Sequence, residues 1–282
     1  MDVELLLVPY DSAHRGARLG AGPERLVAAG LATELARAGH PIAGTALVDP
    51  PAGRVAEICT AFELMKALAV SVRAARARGH FPLVLAGNCN TSLGTVAGLG
   101  GGEGTAVLWF DAHGDFNTPE TTTSAFLDGM ALATLTGRCW TRLARTVPGF
   151  TPVAERATCL LGARDLDLLE AEAITDSSLR VLPPARIAAD LPAVLADLSR
   201  QVTRAYLHVD LDVLDPSEGR ANEFAADGGL SLEALQHAIR TIGHALPIHA
   251  AAITAYDPQL DGDGRIRAAA TTVAKTVVDA AG

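Results

Sequence analysis

The sequence has few of the features that mark nucleic-acid-binding and membrane proteins. Its 282 residues include 23 lysines and arginines against 32 aspartates and glutamates, giving a formal net charge of −9 with no basic cluster. We therefore expect no nucleic-acid partner, because binding to phosphates requires concentrated positive charge. No uncharged apolar run approaches the roughly 18–20 residues that a bilayer span requires, so no membrane partner is expected either.

Cysteine is scarce, and its residues are widely spaced. The four cysteines are far apart, with no CxxC pair: Cys59, Cys89, Cys139 and Cys159. Reduced thiols in a cytoplasm are the default interpretation of this pattern. The start, MDVELLLVPYD, is acidic and too short for a signal peptide, so we interpret it as a first strand. Together these features predict a cytoplasmic protein.

The glycine-rich stretches lack the spacing of known ligand-binding loops. GLGGGEG at 98–104 does not match G-x-G-x-x-G, and it precedes a predicted strand instead of joining a strand to a helix. This position argues against a dinucleotide site. DGDG at 261–264 resembles the opening of a calcium loop but lacks the downstream ligands, which favours a surface turn.

Apolar residues, by contrast, are abundant and follow an alternating order. They make up 49% of the chain, and the mean hydropathy is +0.24, which suggests a sheet buried on both faces. Predicted strands are Glu4–Val8, Leu83–Ala86, Ala106–Phe110, Thr158–Leu161, Ala205–Val209 and Ala250–Ala255. Predicted helices are Pro23–Ala38, Val55–Arg78, Ala185–Gln201, Leu232–Ile242 and Arg267–Ala280. The alternation predicts an α/β fold with a mostly parallel, doubly wound sheet in three αβα layers, as a single domain over 1–282.

Acidic side chains cluster where two of these strands end. Asp111, His113 and Asp115 follow one strand, and Asp210 and Asp212 end another, each set with a spacing of two residues. Residues two apart share a face of an extended backbone, so each set converges on one spot. Carboxylates with an imidazole suit hard divalent cations. A lone aspartate is usually a helix cap or a solvated loop residue, but five such side chains in two spaced motifs favour a metal site.

Five motifs together resemble the arginase–agmatinase (ureohydrolase) family, nearly end to end. They are PYDSAHRGARLGAGPERL near the start, AGNCNTSLGT at 86–95, DAHGDFNTPETTTS at 111–124, GARDLDLLE at 162–170 and HVDLDVLDP at 208–216. The resemblance implies an arginase-like fold, two divalent metal ions (manganese is the expected metal), a small guanidino substrate and a homo-oligomer, either trimer or hexamer. It implies that Asp111 and Asp210 bridge the metals. His113 and Asp212 would complete one metal site, and Asp115 would help to complete the other. Two such cations make water nucleophilic near neutral pH, and Asp115 would relay its proton.

The metal motif departs from the family at one ligand. Where the family has G-G-D-H-S, residues 86–90 read AGNCN, and aligning Gly94 places Cys89 on the ligand histidine. Manganese has low affinity for thiolate, so this site would be weak or would favour another ion. The other interpretation is a buried, inert thiol. One family branch, the Nω-hydroxy-L-arginine hydrolases, also places cysteine here and resembles the chain in GDFNTPETT.

The predicted guanidinium pocket differs from the family pattern at two further positions. A family glutamate that pairs with the guanidinium is replaced by Ala255, which argues against ordinary arginine turnover unless another acid such as Glu223 reaches in. Asp128 falls where arginases have a histidine thought to shuttle protons. An aspartate could do so only with a raised pKa. It could equally recognise a cation or cap the next helix.

The other end of the substrate site is better preserved. By the resemblance, Asn117 and Ser124 would hold an amino acid carboxylate, and Asp167 would meet the α-amino group. Phe126 replaces a further contact, an asparagine. Asn117 and Ser124 could instead be turn residues. We predict a binuclear-metal amidinohydrolase, with catalytic Asp115 and Asp128, acting on a guanidino or modified-guanidino amino acid such as Nω-hydroxy-L-arginine. The alternative is a catalytically impaired paralogue that binds a small molecule or a partner.

Overall fold

The computed structural model describes residues 1–51 and 56–282, and a parallel sheet forms its centre. The strands are β1 (Val3–Val8), β2 (Tyr10–Asp11), β3 (His14–Arg15), β4 (Ile42–Leu47), β5 (Phe81–Ala86), β6 (Thr105–Phe110), β7 (Thr158–Leu161), β8 (Arg180–Leu182), β9 (Arg204–Asp210) and β10 (Ile248–Thr254). Eight of them form one sheet in the order β4-β1-β5-β10-β9-β6-β7-β8, with every neighbouring pair parallel. β2 and β3 form a separate antiparallel pair.

Helices cover both faces of the sheet. They are α1 (Gly22–Ala28), α2 (Leu31–Arg37), α3 (Glu57–Ala77), α4 (Ser92–Gly98), α5 (Ala131–Leu135), α6 (Thr141–Ala144), α7 (Leu168–Thr175), α8 (Pro184–Leu198), α9 (Leu232–Ala245) and α10 (Arg265–Ala281). Every residue of β1, β5 and β6 is buried. Such strands are typical of parallel sheets, because crossover helices cover both sides. No helix in the described part of the chain has the length and apolar character of a membrane span.

The core lies in two apolar clusters, one on each face of the sheet. Leu83 and Leu85 of β5 pack with residues of α8, α9 and α10, whereas Val84 between them packs with residues of α3, α4 and α5. This division follows from the strand geometry, since successive side chains point to opposite faces. The architecture confirms the predicted α/β class, with three αβα layers.

The chain order brings four strand ends together at the centre of the sheet. From β1 the chain adds β4 on one side and β5 on the other, then moves across to β6, β7 and β8 before β9 and β10 fill the gap. The carboxyl ends of β5, β10, β9 and β6 are therefore neighbours. In open parallel sheets, ligands bind beyond the carboxyl ends where the strand order reverses.

At the amino-terminal ends of the strands, opposite the ends just described, β1 carries a charged cluster. The Glu4 carboxylate lies 2.9 Å from His80 Nδ1 and 2.9 Å from Arg78 Nη2. Burial opposes ionisation of Glu4, but these two basic partners outweigh it and lower its pKa. The cluster ties β1 to the turn that precedes β5.

Three secondary-structure predictions require correction. The helix predicted over Pro23–Ala38 is two helices, α1 and α2, because Gly30 between them adopts a left-handed conformation with φ +99°. The strands β2, β3, β4 and β8 and the helices α4 to α7 were not predicted: β4 is a half-exposed edge strand, and the other three strands have only two or three residues. The last predicted strand ends at Thr254 instead of Ala255, which has φ +61°. Val55, the predicted start of a helix, lies outside the described residues, and α3 begins at Glu57.

Candidate metal centre

The end of β6 presents Asp111 as a fixed hydrogen-bond acceptor. Trp109 Nε1 donates to Asp111 Oδ2 at 3.0 Å, and the backbone N–H of His113 donates to Oδ1 at 2.7 Å. Trp109 shares the face of Asp111 because the two residues are two apart on an extended chain. The carboxylate is 1% exposed and therefore deeply buried.

The end of β9 provides two more carboxylates and joins them to the β6 loop. Asp210 Oδ1 accepts from the backbone N–H of Asp212 at 2.8 Å, and Asp212 Oδ1 accepts from the backbone N–H of Ala112 at 3.2 Å. Asn222 Nδ2 donates to Asp212 Oδ2 at 3.0 Å. The two acidic motifs thus meet directly, although about a hundred residues separate them.

His113 lies between the carboxylates of the two strands. Its Nδ1 atom is 3.3 Å from Asp111 Oδ1 and 3.4 Å from Asp212 Oδ2. One ligand atom from each of these three residues lies within 4.8 Å of the others. This is an oxygen-rich set with one imidazole, which suits a hard divalent cation.

Cys89 reaches the same cluster from the end of β5. Its Sγ atom lies 3.1 Å from Asp210 Oδ2 and 3.2 Å from Thr254 Oγ1 on β10. Cys89, Asp111 and His208 form a second group whose ligand atoms all lie within 4.8 Å of one another. Asp111 belongs to both groups, so two candidate cation positions share it.

The electrostatics of the cluster are unfavourable without cations. Burial and neighbouring carboxylates raise the pKa of Asp111, and raise those of Asp115 and Asp210 well above the usual range. Burial also raises the pKa of the Cys89 thiol, with Asp210 adding to the effect. In the described part of the chain, the buried Oδ2 atom of Asp115 has no hydrogen-bond partner. Buried anionic groups without partners are costly, and bound cations would compensate them.

Among the acids and the imidazole of this cluster, His113 and Asp212 form an ion pair in which the pKa shift of each partner favours its charged form. Burial opposes both charges, but hydrogen bonds to Asp111 and Asp212 raise the pKa of His113 to about 12. The His113 and Asn222 hydrogen bonds likewise lower the pKa of Asp212 to about 2 despite its burial. A coordinating imidazole must be neutral, so a cation bound at Nδ1 and a charged imidazolium at His113 exclude one another.

A cavity of about 290 Å³ opens above the carboxylates. Its lining is Leu19, Cys89, His113, Asp115, Asn117, Ser124, Phe126, Asp128, Gly129, Asp165, Asp167, Glu170, Asp210, Asp212, Asn222, Phe224 and Ala255. Phe126 stacks on Phe224 with ring centroids 5.9 Å apart, and the Phe224 ring meets the His113 ring edge-on at 6.4 Å. The cavity is the size of a small-molecule site, with acids at one wall and aromatic rings at another.

Comparison with known proteins accounts for this arrangement. The sequence model of the arginase family matches residues 1–279. The chain belongs to the arginase family. It is 29% identical to the arginase of Bacillus caldovelox over 280 residues, covering 92% of each protein. It is 37% identical to an N(omega)-hydroxy-L-arginine amidinohydrolase of Streptomyces lavendulae over 172 residues, 60% of this chain and 58% of that one.

The fold agrees with this assignment. The solved B. caldovelox arginase superposes with a TM-score of 0.87 at 26% identity, covering 98% of this chain and 97% of that one. The protein is therefore an arginase-family hydrolase that acts on amidine C–N bonds. The arginase family depends on two metal ions, and the two groups that share Asp111 are candidate ligand sets for them.

No carboxylate occupies position 255, where the arginase family has the glutamate that pairs with the guanidinium. Ala255 lines the cavity, and its carbonyl accepts from Asn222 Nδ2 at 3.1 Å. Glu223 does not replace the glutamate: it is exposed, pairs with Arg18 at 3.3 Å and is not among the lining residues. The possibility that Glu223 reaches in is therefore not realised in this structure, where Glu223 lies at the surface and pairs with Arg18.

Asp128 is held at the loop that carries Cys89. Its Oδ1 atom accepts from the backbone N–H of Asn90 at 2.7 Å, and its Oδ2 atom accepts from Asn88 Nδ2 at 2.9 Å. Burial nevertheless raises the pKa of Asp128 to about 7, against these hydrogen bonds. This is the raised pKa that proton transfer by an aspartate requires. Asp128 also begins a 3-10 turn, but the N–H groups it accepts from belong to the Cys89 loop, not to its own turn.

The residues expected at the amino acid end of the substrate line the same cavity. Asn117 Nδ2 donates to Asp167 Oδ2 at 3.1 Å, so the two are already paired. Asp167 also caps α7 together with Glu170. Ser124 Oγ accepts from the backbone N–H of Phe126 at 3.2 Å, as a turn residue does. Each of the three expected side chains thus has a local structural role besides its place in the cavity.

Glu170 and Asn222 were not predicted from the sequence. Glu170 Oε1 accepts from the backbone N–H of Phe116 at 2.8 Å, which fixes the loop after Asp115. The capping-box spacing from Asp167 to Glu170 is a signal that could have found it. Asn222 lies in a loop and carries no comparable signal, since its contacts to Asp212 and Ala255 depend on tertiary structure alone.

Proposed function

We propose that this arginase-family protein is a manganese-dependent amidinohydrolase for a modified-guanidino amino acid, with Nω-hydroxy-L-arginine as the leading candidate. The observation that carries the proposal is the pair of ligand groups that share Asp111, with Cys89, His113 and Asp212 of these groups lining one cavity. Asp111 and Asp210 would be common to both metal positions. His113 and Asp212 would complete one of them, and Cys89 and Asp115 the other.

The bound cations would supply one part of the chemistry, by lowering the pKa of water from about 15.7 towards about 7 so that it can attack an amidine carbon. The protein supplies the rest. Asp115, which is buried and whose Oδ2 atom has no partner among the described residues, would accept the proton that the attacking water loses and later release it to solvent. Asp128, with a pKa of about 7, would donate a proton to the leaving amine and recover it from solvent.

The cavity determines which head group can be held. Without a carboxylate at position 255, the strongly basic guanidinium of arginine lacks its bidentate partner. A hydroxyguanidine is less basic and depends less on such a partner. The relative from S. lavendulae, whose name states this substrate, supports the choice. Asn117, Ser124 and Asp167 would hold the α-carboxylate and α-amino groups at the other end of the cavity.

We also propose a domain organisation, a cellular location and an assembly state for this protein. We propose that residues 1–282 form a single arginase-family domain, that the protein is cytoplasmic and that it assembles as a trimer or hexamer. The family match over 1–279 supports the single domain. Light scattering of the purified protein would test the assembly. The absence of a nucleic-acid partner stays a prediction.

A product screen tests the function. Protein loaded with manganese is incubated with arginine, agmatine, guanidinobutyrate and Nω-hydroxy-L-arginine, and the release of urea or hydroxyurea is measured. We expect kcat/KM for Nω-hydroxy-L-arginine to exceed that for arginine at least tenfold. Equal turnover of arginine would contradict the substrate assignment. No turnover of any substrate by protein holding two metal ions would overturn the enzyme proposal in favour of a ligand-binding paralogue.

A further inference from the structure

A second imidazole lies beside Cys89, on the side of the cluster away from His113. His208 is on β9, two residues before Asp210, and therefore on the same face of the strand. It is fully buried. A ring nitrogen of His208, the sulfur of Cys89 and a carboxylate oxygen of Asp111 all lie within 4.8 Å of one another. The arginase resemblance assigned no role to this histidine.

The contacts of His208 leave one ring nitrogen available. Nδ1 lies 3.0 Å from Ser92 Oγ and 3.2 Å from the Tyr206 hydroxyl, so it is well satisfied. Nε2 has one hydrogen-bond partner in the described part of the chain, Thr254 Oγ1 at 3.4 Å. The same Oγ1 atom lies 3.2 Å from the sulfur of Cys89, so Nε2 and the thiol share this neighbour. Metal-binding histidines usually have this arrangement, with one nitrogen held by the protein and the other on the metal.

The ring itself is held in place by stacking. His208 lies on Trp109 with ring centroids 3.7 Å apart and an interplanar angle of 16°. The indole Nε1 of Trp109 in turn donates to Asp111 at 3.0 Å. One residue thus orients both the imidazole and the carboxylate. Asp115, whose buried Oδ2 atom has no partner among the described residues, lines the same cavity as Cys89.

We propose that His208 is a metal ligand of this protein and that, with Cys89 and Asp111, it forms a site selective for zinc over manganese. The proposal rests on the metal centre proposed above and makes its two halves chemically unequal. Sulfur, imidazole and carboxylate together are a ligand set that zinc accepts readily, whereas manganese prefers oxygen. The group of Asp111, His113 and Asp212 is the oxygen-rich half and retains the preference for manganese.

X-ray absorption of the whole protein, stripped of metal and loaded with one equivalent of zinc, tests the ligand set. We expect one sulfur at about 2.3 Å and one imidazole nitrogen at about 2.0–2.1 Å. In the His208→Gln variant the sulfur should stay, the imidazole signal should disappear and the zinc dissociation constant should rise more than a hundredfold. A His237→Gln variant, changed on the exposed side of α9, should match the unaltered protein.

A second variant keeps the test decisive if the core does not tolerate glutamine at 208. His113 is partly exposed, at 27%, and supplies the other imidazole near the cluster. In His113→Gln, zinc should keep both its sulfur and its imidazole, because His208 provides the latter. Loss of the imidazole there, or unchanged zinc binding in folded His208→Gln, would overturn the assignment of His208. Failure of the unaltered protein to bind any metal would instead overturn the proposed metal centre, and the assignment with it.

Discussion

Replacing Asp115 by asparagine should stabilise the metal-free protein while weakening its binding of metal. Asp115 is buried beside other acids, its Oδ2 atom has no partner among the described residues, and burial raises its pKa well above the usual range. Its backbone has φ +48°, a conformation that asparagine tolerates well. Its carbonyl, which accepts from the backbone N–H groups of Leu132 and Ala133, is unchanged by the substitution. The substitution therefore removes a charge at little cost in shape.

The size and pH dependence of the effect follow from linkage. A carboxyl whose pKa is higher in the folded than in the unfolded protein costs nothing below the unfolded value of about 3.9. As the pH rises above that value, the folded state binds more protons than the unfolded state, and stability falls. The cost grows by about 1.4 kcal/mol per pH unit, so at pH 7 it is at most about 4 kcal/mol. We expect asparagine to recover about 1–3 kcal/mol at pH 7 and nothing near pH 4.

Urea unfolding with a chelator present, from pH 4 to pH 8, measures this directly. The matched control is Asp227→Asn, which changes an exposed aspartate and should alter the unfolding free energy by no more than about 0.5 kcal/mol. With manganese added, the difference should narrow. The unaltered protein gains about 2.7 kcal/mol when the metal is at a hundred times its dissociation constant, and the variant gains less. A metal-free variant that is less stable than the unaltered protein at pH 7 would refute the reasoning.

Three further predictions concern other parts of the molecule. Glu4→Gln should cost about 1–3 kcal/mol at pH 7; because the two basic partners lower the pKa of Glu4, the loss should disappear as the pH falls below about 4 in urea titrations. Gly87→Ala should cost about 1–3 kcal/mol or more, since a Cβ there would lie 2.2 Å from the Tyr10 carbonyl oxygen, whereas Gly129→Ala, with nothing within 4 Å, should be nearly neutral in thermal unfolding. Ala255→Glu should raise kcat/KM for arginine at least tenfold in urea-release assays by restoring a carboxylate partner for the guanidinium; an equal gain in Ala255→Gln would exclude that cause.

The sequence predicts best those site residues whose position depends on strand geometry. Asp111, Asp210 and Asp212 follow buried apolar runs at a spacing of two, and parallel strands end at one edge of the sheet. Local pattern therefore suffices to bring them together. The interior strands were predicted in a similar way, from continuous apolar runs, and the structure confirms them.

Other features depend on tertiary contacts that no local pattern reveals. His208 looks like any core residue of a strand, and its place near Cys89 follows only from β9 lying between β6 and β10. Glu223 could be proposed for the cavity because its partner Arg18, 205 residues away, is not evident from the sequence. β8 was not predicted because three residues are too few to show a hydrophobic periodicity.

Four departures from the family pattern, at 88, 89, 128 and 255, lie together in space, whereas a fifth, Phe126, stacks on Phe224 beside His113. Asn88 donates to Asp128, Cys89 contacts Thr254, and Ala255 follows Thr254 directly. All of these residues belong to the side of the cavity formed by β5, β10 and the Asp128 turn, whereas the side formed by β6 and β9 keeps every expected carboxylate. Loss of selection would scatter changes over both sides. A set of neighbouring changes on one side is what adaptation to a different head group and a different metal would produce.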